Sequence, residues 1–457
     1  MPHPCRRPRP TSSRRPVPPS TSPLVAFGLA VAAALASPPT SGAQAVTVKP
    51  LGWLGNDASG FRTSTARGVN DAGQVTGTST SAGTFGEAFR TGANGDNMRG
   101  LGSLPFAFPR SEGNAINAAG RVVGTSVGQG FLTIPFLQNQ LMVGVGFLPT
   151  SANQPRESNA YGVNALGQVT GMSTVGDFAR QAYVTDANGL NMRGLGWLSG
   201  DVLQPEKFSA GMAVNDLGQV TGASSDVDGY AQAFLTRRLP IVQTEVMLGL
   251  GFLSTNGPGD PYSIGRGVNV SGQVVGQSRD AQGRRQAFLT DAGGLNMRGL
   301  GFGGAMTNPG CINSMVAPLA SVAYGVNDAG TVVGSVFGYW NDPFGLRGAN
   351  GRYCGSRAFV YTATNGMRFF DELLAASGTP GWYVDDAHAI SNTGYVAATG
   401  TNQGLVDTQG LLLRLTPSAP SPVVVSPVPE PGTWALLGTG LLLVGGTAAR
   451  RRSRTRA

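Results

Sequence analysis

Histidine is almost missing from this 457-residue chain, with two in all, and only His388 lies outside the extreme N-terminus. Lysine is as scarce in the body, at Lys49 and Lys207 alone. One internal imidazole and scattered acids do not assemble a nucleophile, base and orienter, nor an imidazole-rich metal centre. The glycine-rich stretches follow no strand-to-helix phosphate pattern, so no cofactor is implied. Clustered cations are also lacking in the body. Of 33 basic residues, five precede Val46 and five follow Ala449, leaving 23 against 24 acidic residues once Glu430 is set aside. The formal charge of +8 therefore belongs to the two ends. A body of net charge near −1 offers no phosphate-binding surface, which excludes nucleic acid as a partner.

What is present at the ends is an address. Residues 1–23 carry five arginines and no acid, Leu24–Ala36 is apolar, and Ala43-Gln44-Ala45 is a small-x-small cleavage site. That pattern reads as a secretory signal peptide over residues 1–45. At the other end Pro429-Glu430-Pro431 precedes Gly432–Ala449, a stretch without charge, and then Arg450, Arg451, Arg452 and Arg454. Eighteen residues at ~1.5 Å each give a helix of ~27 Å, close to the ~30 Å hydrocarbon core. The arginines place the C-terminus on the cytoplasmic side, so the body lies across the inner membrane. The two prolines keep the tripeptide extended. Tripeptide, apolar helix and arginine cluster, in this order, resemble the PEP-CTERM sorting signal of Gram-negative bacteria over residues 429–457. The resemblance implies processing by an exosortase and delivery to the cell surface or extracellular matrix, beside exopolysaccharide production.

Between the ends, residues 46–416 repeat one pattern seven times. An apolar residue and Asn, two variable residues, Gly and a β-rich run recur: VNDAGQVTG at 69, INAAGRVVG at 116, VNALGQVTG at 163, VNDLGQVTG at 214, VNVSGQVVG at 268, VNDAGTVVG at 326 and ISNTGYVAA at 390. The turn pairs are Asn70/Gly73, Asn117/Gly120, Asn164/Gly167, Asn215/Gly218, Asn269/Gly272, Asn327/Gly330 and Ser391/Gly394. Asn suits the first position of a type I turn, and Gly supplies the left-handed residue that follows. A calcium role for Asn70-Asp71 and its equivalents is disfavoured, because the second position is often uncharged. Two further β segments belong to each repeat. One holds Ala or Pro before an aromatic (Ala88-Phe89, Pro135-Phe136, Ala182-Tyr183, Ala233-Phe234, Ala287-Phe288, Ala358-Phe359), replaced in the last copy by Leu411-Leu412-Leu413. The other reads LGWL at 51, LGSL at 101, VGFL at 145, LGWL at 195, LGFL at 250, LGF at 300 and FFDELL at 369.

Four short strands per ~50 residues predict an all-β repeat domain, a seven-bladed β-propeller with the aromatic and Leu positions between blades. The first LGWL, within Val46–Leu54, is placed to complete the last blade as a strand clasp between the two ends. The pattern resembles the bacterial extracellular HAF repeat family, named for a His-Ala-Phe tripeptide. Here the histidine position reads Glu87, Ile134, Gln181, Gln232, Gln286 and Arg357, so a role of that histidine does not carry over.

In an exported chain Cys311 and Cys354 read as a disulfide. Both lie in the longest insertions, with Tyr339, Trp340 and Tyr353, which are candidate ligand loops. Residues 417–428 form a proline-rich linker between ring and tail. Asp371-Glu372 and Asp385-Asp386 are the acids that a secreted glycoside hydrolase could use, and Asp226-Val227-Asp228-Gly229 has part of a calcium loop but reads as a turn. The favoured expectation is a non-enzymatic surface protein whose ring binds a partner such as exopolysaccharide. A hydrolase and a structural matrix protein without a discrete ligand are the alternatives.

Overall fold

The computed structural model describes residues 45–57, 59–82, 84–105, 109–136, 139–150, 156–176, 179–199, 207–237, 247–303, 306–307, 315–316, 320–337, 356–402 and 407–416. All belong to the second of two compact parts of the chain, Gly42–Ala457. The signal peptide, the linker and the C-terminal helix fall outside the described residues, as do Cys311, Cys354, Tyr339, Trp340 and Tyr353. Among the described residues no helix is long and apolar enough to cross a membrane.

The body is all-β. In the first repeat Ser64–Val69, Val75–Ser81, Thr84–Arg90 and Arg99–Gly100 pair antiparallel in chain order. The same four-stranded set recurs along the chain. Five sets are separate sheets, and two more share an eight-stranded sheet through a single parallel bridge, Arg285 to Ala320. The seventh set runs Trp382–Ile390, Tyr395–Asn402 and Gln409–Thr416, and its outer strand is Ala45–Pro50 from the other end of the described chain. Edge pairing of this kind removes an open strand edge.

The described residues share no single core. Seven apolar clusters each join one set to the next, and the series closes on itself. Ala88 of the first set meets Ile116, Val122 and Phe131 of the second; Ala66, Val75 and Phe89 of the first meet Tyr395, Ala397 and Leu412 of the seventh. At least one large side chain per junction is fully buried: Phe89, Phe131, Tyr183, Phe234, Phe288, Phe359 and Leu411. Each contributes roughly 1.5–3 kcal/mol by burial.

Three sequence-based placements change. The second repeat's aromatic is Phe131, not Phe136, because Phe131 sits opposite Gly124 as Phe89 sits opposite Gly77. The histidine position of that repeat is therefore Gln129 rather than Ile134, and Gln409 takes it in the last. The LGxL segments are mostly not strands. The outer strand ends at or just before them (Arg99–Gly100, Asn139–Gly144, Arg193–Gly194, Met247–Gly249, Arg298–Gly301), and their leucines turn into the junctions. The residues after Phe369 form an α-helix, Phe370–Ala376, whose Phe370, Leu373 and Leu374 recur at helical spacing and are buried between the sixth and seventh sets.

The glycine in these outer strands has a steric cause. A Cβ on Gly100, Gly194, Gly249 or Gly299 would lie within 2.0 Å of a side-chain oxygen of Glu87, Gln181, Gln232 or Gln286 respectively. The Glu or Gln two residues before Phe89, Tyr183, Phe234 or Phe288 thus lies over the next strand's backbone. In the first repeat it also accepts a hydrogen bond from Gly102 N at 2.9 Å.

Candidate binding ring at the inner strands

The innermost strand of every set is its first, and these seven strands carry two kinds of ring. The asparagine turns make the first. Gly73, Gly120, Gly167, Gly218, Gly272, Gly330 and Gly394 all have left-handed φ, from 70° at Gly73 to 85° at Gly394. Each donates its N–H to the carbonyl of the Asn or Ser three residues earlier, at 2.9–3.2 Å. That residue's own N–H donates to the carbonyl just after the glycine, as Asn70 N does to Gln74 O at 3.1 Å. The pair of bonds defines a type I turn closed by a left-handed glycine.

Sequence reasoning assigns these glycines a turn role alone, and the structure corrects that by adding a contact between repeats. The side chain four residues after one asparagine lies over the glycine of the next repeat. A Cβ on Gly120, Gly218, Gly272 or Gly330 would stand 2.7, 3.3, 3.4 or 3.5 Å from Oε1 of Gln74, Gln168, Gln219 or Gln273 respectively. One on Gly167 would stand 3.2 Å from Nη1 of Arg121, and one on Gly73 would stand 3.1 Å from the Tyr395 ring, across the closing junction.

Each asparagine also reaches its neighbour. The Nδ2 of Asn70 donates to Asn117 O, and the series runs on from Asn117 to Asn164, Asn215, Asn269, Asn327 and Ser391, at 2.9–3.2 Å. The Oδ1 accepts from the backbone four residues on, as from Gln74 N and Gln168 N at 3.0 Å. Serine at 391 has no amide to continue the series. There Asp71 Oδ1 accepts from Asn392 N at 2.8 Å and Thr393 N at 3.2 Å, and Asp71 O accepts from the Thr393 hydroxyl. The aspartates at the optional second position make such clasps elsewhere too: Asp216 accepts from Ala165 N and Asp328 from Val270 N.

Six residues before each asparagine stands a serine that sequence reasoning missed: Ser64, Ser111, Ser158, Ser209, Ser263 and Ser321, all buried. Each hydroxyl ties two backbone groups of the preceding set. Ser158 Oγ, for instance, accepts from Gly130 N at 3.0 Å and donates to Gly146 O at 2.8 Å; Ser64 does the same across the closing junction, with Gly410 N and Gly52 O. The recurrence is visible in the sequence, but an isolated serine in a strand carries no signal of its own. In the seventh repeat the position is Asp385.

The second ring comes from a β-bulge that recurs in all seven inner strands. The register shifts between Ala66 and Gly68, Gly113 and Ala115, Ala160 and Gly162, Gly211 and Ala213, Gly265 and Gly267, Ala323 and Gly325, and Ala387 and Ala389. Bulges re-aim side chains. The final glycine of the repeated motif makes room for this one: a Cβ on Gly77, Gly124, Gly171 or Gly222 would sit 1.8 Å from a carbonyl oxygen of the bulged strand. The seventh repeat has Ala398 there, and its strand has a second register shift, between Val384 and Asp386.

The skipped residues are Arg67, Asn114, Tyr161, Met212, Arg266, Tyr324 and His388, all half-buried. They meet around the ring. Arg67 Nη1 donates to Asn114 Oδ1 at 2.9 Å and to Glu112 at 3.3 Å, and Asn114 Nδ2 donates to Ala160 O. The Arg266 guanidinium lies 5.3 Å from the centre of the Tyr324 ring, whose centre is 4.7 Å from that of His388. Burial pushes the Tyr324 hydroxyl up to about 12, with Asp386 adding to the rise and Arg266 opposing it. Burial likewise raises Tyr161, against the fields of Arg180 and Arg67 and with that of Glu112. His388 is held below its ordinary value, first by burial and then by Arg67 and Arg266, with Asp386 opposing. Arg67 thus reaches Asn114 of the next repeat, and Arg266, Tyr324 and His388 follow one another across three consecutive repeats.

The acids considered for hydrolysis are placed otherwise. Asp371 and Glu372 both bind Arg357, at 2.7 and 2.9 Å, and Asp386 accepts from Ser335 Oγ at 2.8 Å and Ser356 Oγ at 3.3 Å. Asp226 forms a local turn, its Oδ1 accepting from Asp228 N and Tyr230 N. Among the described residues no group of three or more His, Cys, Asp and Glu could hold a metal ion.

Residues 427–452 match the PEP-CTERM protein-sorting motif. That motif marks a chain for an exosortase and for export to the cell envelope or surface. No curated protein matches the sequence. Among solved structures, an oligogalacturonate lyase in complex with manganese is 13% identical with a TM-score of 0.43, covering 83% of this chain and 99% of that one. YCF48 from Cyanidioschyzon merolae is 13% identical with a TM-score of 0.42, covering 82% and 100%. The sialidase of Trypanosoma rangeli is 11% identical with a TM-score of 0.35, covering 82% and 60%.

Proposed function

We propose that this chain is an exosortase-sorted surface protein whose body is a seven-bladed β-propeller of HAF-type repeats, acting as a binding module and not as an enzyme. The sorting motif at residues 427–452 carries the reading. The propeller part is supported by the seven four-stranded sets, the closed series of apolar junctions and the pairing of Ala45–Pro50 with Gln409–Thr416. Gly432–Ala449 holds the chain in the inner membrane until the tail is processed, and residues 417–428 tether the ring outside. The partner is a matrix component, with exopolysaccharide as the first candidate.

The test is made in the source bacterium. Deleting its exosortase is expected to leave the protein at full length in the membrane fraction. Glu430→Ala with Pro429→Ala is expected to do the same in the wild-type strain. Release of a shortened protein in both cases sinks the sorting assignment.

A further inference from the structure

The bulged ring differs from its frame in one informative way. Flanking positions are monotonous: the residue before each bulge is Ala or Gly, the residue after it Gly or Ala, and the next is Val or Ile. The bulge residues are Arg, Asn, Tyr, Met, Arg, Tyr and His. A frame this uniform needs no such variety for packing. It holds seven side chains in equivalent places and lets their chemistry differ.

That chemistry is rich in unused donors. Arg266 makes no hydrogen bond or ion pair among the described residues, and its Nε is buried without a partner. A buried guanidinium N–H left unsatisfied is costly, and its fork geometry matches a carboxylate. The hydroxyls of Tyr161 and Tyr324 and both nitrogens of His388 have no hydrogen-bond partner among the described residues either. No acid stands in the ring itself. Three guanidiniums act on it, Arg67, Arg180 and Arg266, against two carboxylates, and one of these, Glu112, is already shared by Arg67 and Arg110. The other, Asp386, is hydrogen-bonded to two serines.

We propose that the axial ring binds a carboxylate, with Arg266 as its principal ligand, Tyr324 and Tyr161 as hydroxyl donors and Arg67 as a second cation, and that the ligand is an acidic sugar. The guanidinium supplies a planar two-point contact to the carboxylate, and the phenols and imidazole supply partners for ring hydroxyls. The choice of a sugar rests on the surface-binding reading above; the choice of a carboxylate rests on the ring alone.

Calorimetric titration of the full chain, purified in mild detergent, with an oligomer of glucuronate tests this, with the matching glucose oligomer and inorganic phosphate as further arms. Saturable binding of the glucuronate oligomer alone is expected. Arg266→Gln is expected to weaken it at least tenfold while the melting temperature stays within a few degrees, and Arg193→Gln, in a surface pair with Asp186, is expected to leave it unchanged. Equal binding of the glucose oligomer, preference for phosphate, no binding of glucuronate, or an unaffected Arg266→Gln variant each overturns the proposal. Binding of a neutral matrix polysaccharide that ignores Arg266 overturns it while leaving the binding-module reading intact.

Discussion

On each innermost strand the asparagine and the bulge residue are three positions apart, yet they follow opposite rules. The asparagine is nearly fixed because its amide has two obligations, an acceptor four residues along its own turn and a donor to the next repeat. Aspartate would keep the first and lose the second, which is why sequence equivalence of Asn and Asp fails here. The bulge requires no particular side chain, since it is made by backbone and by the absence of a Cβ at the facing glycine, although Asn114 uses its amide to bond Ala160 O of the next repeat. Constancy in a repeat protein thus marks where one unit holds the next, and variety marks where the assembly can meet something else.

This contrast can be broken experimentally. Asn164→Ala removes a buried donor to Asn215 O and an acceptor for Gln168 N, and is expected to lower stability by about 2–4 kcal/mol in urea titrations. Ser158→Ala strands Gly130 N and Gly146 O, with an expected loss of about 1–3 kcal/mol. Tyr161→Phe and Met212→Ala, at the bulge, are expected to cost less than about 1 kcal/mol. A loss at the bulge equal to that at Asn164 would erase the distinction between frame and display.

A subtler test concerns how neighbouring repeats fit. Where a repeat has Thr before its last motif glycine (Thr76, Thr170, Thr221), the next repeat has Gly just before its bulge (Gly113, Gly211, Gly265). Where it has Val or Ala (Val123, Val275, Val333, Ala397), the next has Ala (Ala160, Ala323, Ala387, Ala66). The Thr hydroxyl accounts for this, because it donates to a carbonyl of its own set, as Thr76 does to Phe89 O, and stands 2.3 Å from where a Cβ on Gly113 would be. Gly113→Ala is expected to be destabilising, and by about 1 kcal/mol less in a Thr76→Val background, a coupling that a double-mutant cycle reads directly.

The smallest expected effect is on pH dependence. His388 faces Tyr324, Asp386, Arg67 and Arg266, and its folded value lies below the ordinary 6.5. The folded protein therefore binds fewer protons than the unfolded chain, and the contribution of His388 to stability is full above pH 6.5 and is lost as the pH falls through the folded value. The slope cannot exceed about 1.4 kcal/mol per pH unit. His388→Phe is expected to flatten that part of the stability profile, and an unchanged profile would assign the slope to other groups.

The repeat, its turn and the all-β architecture are legible because they depend on local chemistry that recurs: Asn and Gly at fixed spacing, and one aromatic per unit. The second duty of the turn glycines is not, because the side chain that covers Gly120 or Gly218 comes from another repeat, about 50 residues away. The bulge is hidden too, because an inserted residue breaks the two-residue alternation by which strand faces are read, and the glycine that permits it looks like the end of a turn motif. Phe131 is masked because Gly130 replaces the usual alanine, which leaves Pro135-Phe136 as the better match by eye. Position in the series makes Phe370–Ala376 look like a strand segment, although its apolar spacing is helical. The ring of bulge residues hides among side chains that look random one repeat at a time and become a set only when stacked at the same offset.

The pairing of Ala45 with Thr416 has a consequence for the order of events during export. These partners are 371 residues apart, so the last sheet lacks a strand until nearly the whole body has crossed. Every earlier sheet can form from one contiguous stretch as it emerges, whereas the final one waits for Gln409–Thr416. Long-range pairing of this kind is slow relative to local pairing. The closing strand pair is therefore the last step of folding, with six sets able to be complete while the seventh still lacks its partner strand.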